Sequence, residues 1–168
     1  ENRILHLTHT DIFRDARILK QLKAISTVDS SITIKAFGVN TNEENLPSDV
    51  GQGVVVKNFF IMSKKISERL YTFRHFIIFI EVFFNFLVGI FLYRPSIIHC
   101  HDTFVLPVGW FGAKIFGAKL IYDAHELETD RNGITPLVSK ITYMIEKLAW
   151  KRIDLFISVS PEIIDFYN

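Results

Sequence analysis

Ser96-Ile-Ile-His-Cys100, the helical period from Leu106 to Phe116, and Lys119-Leu-Ile-Tyr-Asp123 read as strand, helix and strand, and this unit decides the fold. Two short runs rich in branched residues flank a longer apolar period. Gly109, Gly112 and Gly117 in that period suit a helix packed closely on a sheet. The rhythm continues in both directions. Upstream, Arg3 to Thr8 reads as a strand and Asp15 to Ile25 as a helix, with Ile18, Leu19, Leu22 and Ile25 on one face. Ser31 to Phe37 reads as a second strand ending at Gly38. Asn40 to Gly53 reads as a polar loop and Val54 to Phe59 as a third strand. Ile66 to Tyr93 is helical in character, as one helix or two, and stops before Pro95. Downstream of Asp123 a polar loop runs through Gly133. Thr135 and Pro136 then open a helix to Lys151, Asp154 to Ser158 is a sixth strand, and Ser160-Pro161-Glu162 starts a last helix. Six strands alternating with helices predict an α/β, doubly wound, mostly parallel, Rossmann-like sheet.

Composition narrows the function classes. The 168 residues suit one domain, and 49% hydrophobic content excludes a disordered chain. A net charge of +1, from 19 basic and 18 acidic residues, marks no nucleic-acid binder. Cys100 is the single cysteine, so an internal disulfide and a cysteine-rich metal module are both excluded. His6, His9 and Asp11 break the first apolar run, so no signal peptide is expected and the chain reads as intracellular. The bias toward Ile, Phe, Asn and Lys points to an AT-rich bacterial source.

Ligands of doubly wound sheets bind beyond the carboxyl ends of the strands. That rule selects His9-Thr10-Asp11, His101-Asp102-Thr103, Ala124-His125-Glu126 and Ser160-Pro161. Arg14 and Arg17 beside a helix start suit an anion such as a phosphate, while Asp11 or Asp15 can equally cap that helix. His99 and His101 point to one face of their strand, and Asp102 or His125 could complete a zinc shell. Against this, His99 fits a hydrogen-bonded core residue, and no bound metal is expected. No Gly-x-Gly-x-x-Gly, P-loop or Gly-x-Ser-x-Gly occurs.

Phe76 to Tyr93 is strongly apolar, with Glu81, Asn85 and Gly89 four apart as a narrow polar or small stripe. The strands on either side belong to one sheet, which argues against a membrane span. Burial, interfacial contact with a membrane or a docking face for a partner remain open. Lys64, Lys65, Arg69 and Arg74 just upstream would favour anionic headgroups.

Ile4 to Thr8, Asp15 to Lys20, Arg94-Pro-Ser-Ile-Ile-His-Cys-His-Asp102, Leu120-Ile-Tyr-Asp-Ala-His-Glu126 and Arg152 to Ser160 stand in an order and spacing that resemble the N-terminal domain of GT-B glycosyltransferases of the retaining, family 4 type. The resemblance implies that 1–168 is the acceptor-side half of a two-domain enzyme, with a nucleotide-sugar domain outside this chain. It implies a cytoplasmic protein, at the inner face of the membrane where the acceptor is lipid-linked. Building of a cell-surface polysaccharide or glycolipid is the implied role. By the same resemblance His125, with Glu126, stands at the sugar and diphosphate. His9, Thr10, Asp11 and Arg14 border the diphosphate, His101 and Asp102 the acceptor side, and Ser160 the cleft. No cofactor beyond the nucleotide-sugar donor, and no metal, is implied. The first loop lacks the glycines many relatives carry. The donor-side pair of acids eight apart has no match. A non-catalytic subunit of a split glycosyltransferase, docking through Phe76–Tyr93, is the alternative. A different α/β enzyme with His99, His101 and His125 on a metal is the third reading.

Overall fold

The computed structural model describes residues 2–29, 31–40, 50–65, 71–125, 129 and 135–167. Six strands form one sheet: β1 (Arg3–Leu7), β2 (Thr33–Asn40), β3 (Val54–Phe60), β4 (Ile97–Cys100), β5 (Lys119–Ala124) and β6 (Leu155–Ser158). Their order across the sheet is β3-β2-β1-β4-β5-β6, and every neighbouring pair is parallel. The chain winds outward from β1 to β3, then returns to lay β4 on the other side of β1. The switch point therefore falls between β1 and β4, the place where doubly wound sheets have their ligand crevice.

Each central strand is buried on both faces, as parallel strands covered by helices must be. Helix α1 (Ala16–Val28) covers one face, placing Ile18 and Leu22 against Ile34, Ala36 and Ile12. Its start is fixed by Asp15, whose carboxylate accepts the backbone N–H groups of Arg17 and Ile18. Helices α2 (Tyr71–Tyr93), α3 (Leu106–Phe116) and α4 (Pro136–Trp150) cover the other face. There Leu5, Leu7, Phe37, Ile98, Cys100, Leu120 and Tyr122 meet Ile78, Val82, Phe86 and Ile90 of α2 and Leu106 and Val108 of α3. Helix α5 (Pro161–Tyr167) returns Tyr167 to this layer, where its ring stacks on Trp150 and its hydroxyl donates to Glu146.

Several boundaries differ from the sequence reading for identifiable reasons. Gly38 does not end β2 but lies inside it: a Cβ there would stand 2.7 Å from the Thr10 carbonyl oxygen and 2.3 Å from Asn58 Oδ1. The loop after β1 crosses the strand at that point, so the glycine marks a close approach rather than a turn. Gly109 does let α3 settle on the sheet, a Cβ there meeting Cys100 Sγ at 2.2 Å, whereas Gly117 is a left-handed helix cap with φ 65°. Described from Tyr71, α2 is a single helix; 66–70 lie outside the described residues, as does much of the loop after β5. Two 3-10 turns, Ile12–Arg14 and Met62–Lys65, precede α1 and α2 and were not read from the sequence.

The apolar segment at 76–93 resolves into two faces. One packs into the core, while Phe73, Phe76, Ile80, Phe84, Val88, Phe91 and Leu92 are exposed. The narrow stripe has local employment: Glu81 accepts the backbone N–H groups of Met62 and Ser63 and the Ser63 hydroxyl, and Gly89 lies against the Phe37 ring.

Candidate functional site

The register of three strands gathers polar side chains at the carboxyl edge of the sheet, beside the switch point. Just beyond β4, Asp102 follows His101 and is buried. Its Oδ2 accepts the His9 N–H at 3.1 Å and the Thr8 hydroxyl at 3.3 Å, and its Oδ1 accepts the Val105 N–H at 3.1 Å. The same Oδ2 lies 2.8 Å from His9 Nδ1. Burial works to raise the Asp102 pKa, but the charge and hydrogen bonds of His9 and the Val105 amide hold it below the ordinary carboxylate range. The His9 ring packs against Phe104, with centroids 5.4 Å apart, and its side chain is 38% exposed. An imidazole oriented by a buried carboxylate and open to a crevice is a constellation that can accept a proton from a bound hydroxyl.

Beneath this edge, on the α1 side of the sheet, lies a row of imidazoles. Parallel pairing sets His6 of β1 directly against His99 of β4, with ring centroids 4.7 Å apart, and alternation puts His101 on the same face. Asp123, two residues beyond the Ile121 that pairs with His99, comes up beside them. Its Oδ2 is 3.6 Å from His99 Nε2 and 3.7 Å from His101 Nδ1, and its Oδ1 is 3.4 Å from His125 Nδ1. Gln21 of α1 donates its amide to Asp123 Oδ2 at 3.1 Å, and His6 Nδ1 and His101 Nε2 share a proton at 2.9 Å.

Charge in this row is set by burial and by one acid. Burial would raise the Asp123 pKa, but the surrounding His101, His99, Gln21 and the charge of His125 push it far below the carboxylate range. The imidazoles move the opposite way from the charged form. Burial takes His101 down to about 4 against the pull of Asp123, and lowers His6 well below its ordinary value with help from its neighbours His99 and His101. His125 is lowered by burial and by the charge of Arg17, with Asp123 opposing. At neutral pH His6, His101 and His125 are therefore neutral beside the Asp123 carboxylate, each an N–H donor or a lone-pair ligand.

Of the residues selected from sequence, His9, His101, Asp102 and His125 are brought together here. Thr10 Oγ1 shares a hydrogen bond with Thr8 Oγ1 at 2.9 Å on the exposed rim. Asp11 caps the 3-10 turn through the Phe13 N–H and accepts the Asn58 amide at 2.6 Å. Arg14 is exposed, 3.7 Å from Asp11. Ser160 Oγ accepts the Ile163 N–H at the start of α5. Glu126 lies outside the described residues. His6, Gln21 and the central place of Asp123 were missed. The signal was present for His6, since an in-register β1 and β4 make it the neighbour of His99.

No family model and no curated protein matches the sequence. Solved structures do share its architecture. A sucrose-phosphate synthase from Thermosynechococcus elongatus superposes with a TM-score of 0.70 at 14% identity, over 99% of this chain and 44% of that one. The chain is similar in fold to GT-B glycosyltransferase domains. A shorter chain of the same synthase gives a TM-score of 0.65 at 14% identity, covering 99% of this chain and 81% of that one. MurG of Acinetobacter baumannii gives 0.56 at 10% identity over 97% and 42%. The lipopolysaccharide outer core galactosyltransferase WaaB gives 0.55 at 14% over 97% and 41%. The chain thus spans less than half the length of three of these four GT-B-type chains.

Proposed function

We propose that this chain is the acceptor-side, N-terminal domain of a glycosyltransferase that moves a sugar from a nucleotide-sugar donor to a glycan or lipid-linked acceptor. The observation that carries this reading is the placing of the His9–Asp102 and His125–Asp123 pairs at the carboxyl ends of β1, β4 and β5, in a sheet that superposes over 99% of this chain on a sucrose-phosphate synthase. The nucleotide-sugar domain then lies outside 1–168, turnover belongs to the full-length protein, and this domain alone is inactive. The donor carries its own leaving group, so the transfer step draws on no cofactor. Sugar transfer passes through an oxocarbenium-like state while a nucleoside diphosphate departs. His125, neutral and at the end of β5, supplies an N–H toward the departing charge; His9, oriented by Asp102, holds the acceptor hydroxyl.

Retention of anomeric configuration takes its support from the ordered segments that resemble the retaining, family 4 type. A second reading is favoured by the His9–Asp102 pair: a base of that kind suits direct displacement by the acceptor oxygen, with inversion. Transfer by the full-length protein from labelled nucleotide-sugars to lipid-linked and free glycan acceptors, with the product anomer read by NMR, tests both. A retained anomer supports the first reading and an inverted one the second. No transfer to any acceptor overturns the proposal.

Contact with the inner face of a membrane belongs to the same reading. The outer surface of α2, α3 and α4 exposes Phe76, Phe84, Val88, Phe91 and Ile141 together with Lys114, Lys140 and Lys147. The acids of these three helices, Glu81 and Glu146, are engaged inward by Ser63 and by Thr103 and Tyr122. Apolar residues among exposed cations suit an anionic lipid surface. Flotation with phosphatidylglycerol-containing vesicles checks this, and Phe84→Asp with Val88→Asp is expected to abolish it.

A further inference from the structure

We propose that the buried imidazole row is a binding site for one zinc-type divalent cation, held by His101, Asp123 and His125 with His99 alongside. The inference does not rest on the transfer reaction. Its ground is an excess of buried, unsatisfied donors and acceptors. Five ring nitrogens here make no hydrogen bond to another described residue: His6 Nε2, His99 Nε2, His101 Nδ1 and both nitrogens of His125. Buried polar atoms are ordinarily bonded, since each left unmade costs about 1–3 kcal/mol. His6, His99 and His101 are 1%, 5% and 3% exposed, so bulk solvent does not reach them.

The spacing fits an ion better than it fits hydrogen bonds. Three imidazole nitrogens stand 3.4, 3.6 and 3.7 Å from the Asp123 carboxylate oxygens, outside good hydrogen-bond range. Neighbouring ligands of a tetrahedral ion with bonds of roughly 2.0–2.1 Å sit about 3.3–3.4 Å apart. One ligand atom from each of His101, Asp123 and His125 already lies within 4.8 Å of the other two. Imidazole and carboxylate are the donor set that suits zinc. The supporting contacts are also those of a ligand shell. Gln21 orients the Asp123 carboxylate from α1. In the tautomer that a bound ion needs, His101 Nε2 donates to His6 Nδ1, 2.9 Å away, and the His101 Nδ1 lone pair faces Asp123. His125, partly exposed at the crevice, gives the way in.

The test is zinc titration of the chelator-stripped protein, by calorimetry and by metal analysis after desalting. One equivalent bound, with a raised melting temperature, is expected. Asp123→Asn and His125→Ala should each weaken zinc binding by at least the ~10–100-fold that even outer-shell changes cost, and Gln21→Leu by about tenfold. His75→Ala, on exposed α2, should leave it unchanged. No zinc retained by the unaltered protein overturns the proposal. So does retention that Asp123→Asn and His125→Ala both leave intact. Neither readout uses sugar transfer, so a failure of the glycosyltransferase reading leaves the test standing.

Discussion

Replacing Asp102 by asparagine keeps the shape of the side chain and removes its charge, which isolates what the carboxylate does for the loops after β1 and β4. Three donors converge on Oδ2 (the Thr8 hydroxyl, the His9 amide and His9 Nδ1) and a fourth, the Val105 amide, on Oδ1. Asparagine has one acceptor oxygen. Turned to keep the three contacts, it sets its NH2 against the Val105 N–H; turned to keep that one, it opposes three. Either way at least one buried donor loses its partner, at about 1–3 kcal/mol, and the remaining bonds lose their charge assistance. A cost of about 2 kcal/mol is expected. For a domain of this size that lowers the melting temperature by roughly 4–8 °C, at about 2–4 °C per kcal/mol. Urea unfolding followed by circular dichroism, with an unchanged slope, reads it directly. A double-mutant cycle with His9→Ala should give a coupling of only about 0.5–1 kcal/mol, because His9 is partly exposed and solvent screens the pair. A loss below about 0.5 kcal/mol for Asp102→Asn refutes the reasoning.

Two further outcomes follow from the packing of α2. Phe86→Ala, which empties a fully buried position between Phe37 and Phe59, should cost about 3–5 kcal/mol, and Phe84→Ala on the exposed face less than about 0.5 kcal/mol; comparison of the two unfolding midpoints checks it. Partial burial works to raise the Glu81 pKa, but hydrogen bonds from the Ser63 hydroxyl and the Ser63 and Met62 amides bring it below its usual value. Its contribution is therefore complete above the pH where a free glutamate titrates and is lost as pH falls through the depressed value. Glu81→Gln should flatten that acid limb of the stability profile.

Most of the architecture was legible because strand and helix periods are local. The branched runs at Ile97–Cys100 and Lys119–Ala124 and the cap at Thr135 depend on residues a few positions apart. The carboxyl-edge rule then located His9, Asp102 and His125 without any distance being known. What escaped was pairing across strands. That His6 meets His99, or that Asp123 stands among three imidazoles, depends on register between segments some ninety or more and some twenty residues apart. The sense of Gly38 was misread for the same reason: a glycine that makes room for a crossing loop and one that makes a turn look alike until the crossing is seen. The apolar run at 76–93 kept its ambiguity because composition records hydrophobicity without direction, and the helix proved to bury one face and expose the other.

The measurement that bears most directly on the proposed site is sugar-transfer turnover by the full-length protein carrying His125→Ala, alongside its circular dichroism spectrum. Removal of one donor aimed at developing negative charge typically costs ~10²–10³ in turnover. A loss of that size with an unchanged spectrum, both proteins being assayed after chelator treatment, is expected, and turnover within about twofold of the unaltered enzyme would contradict the assignment.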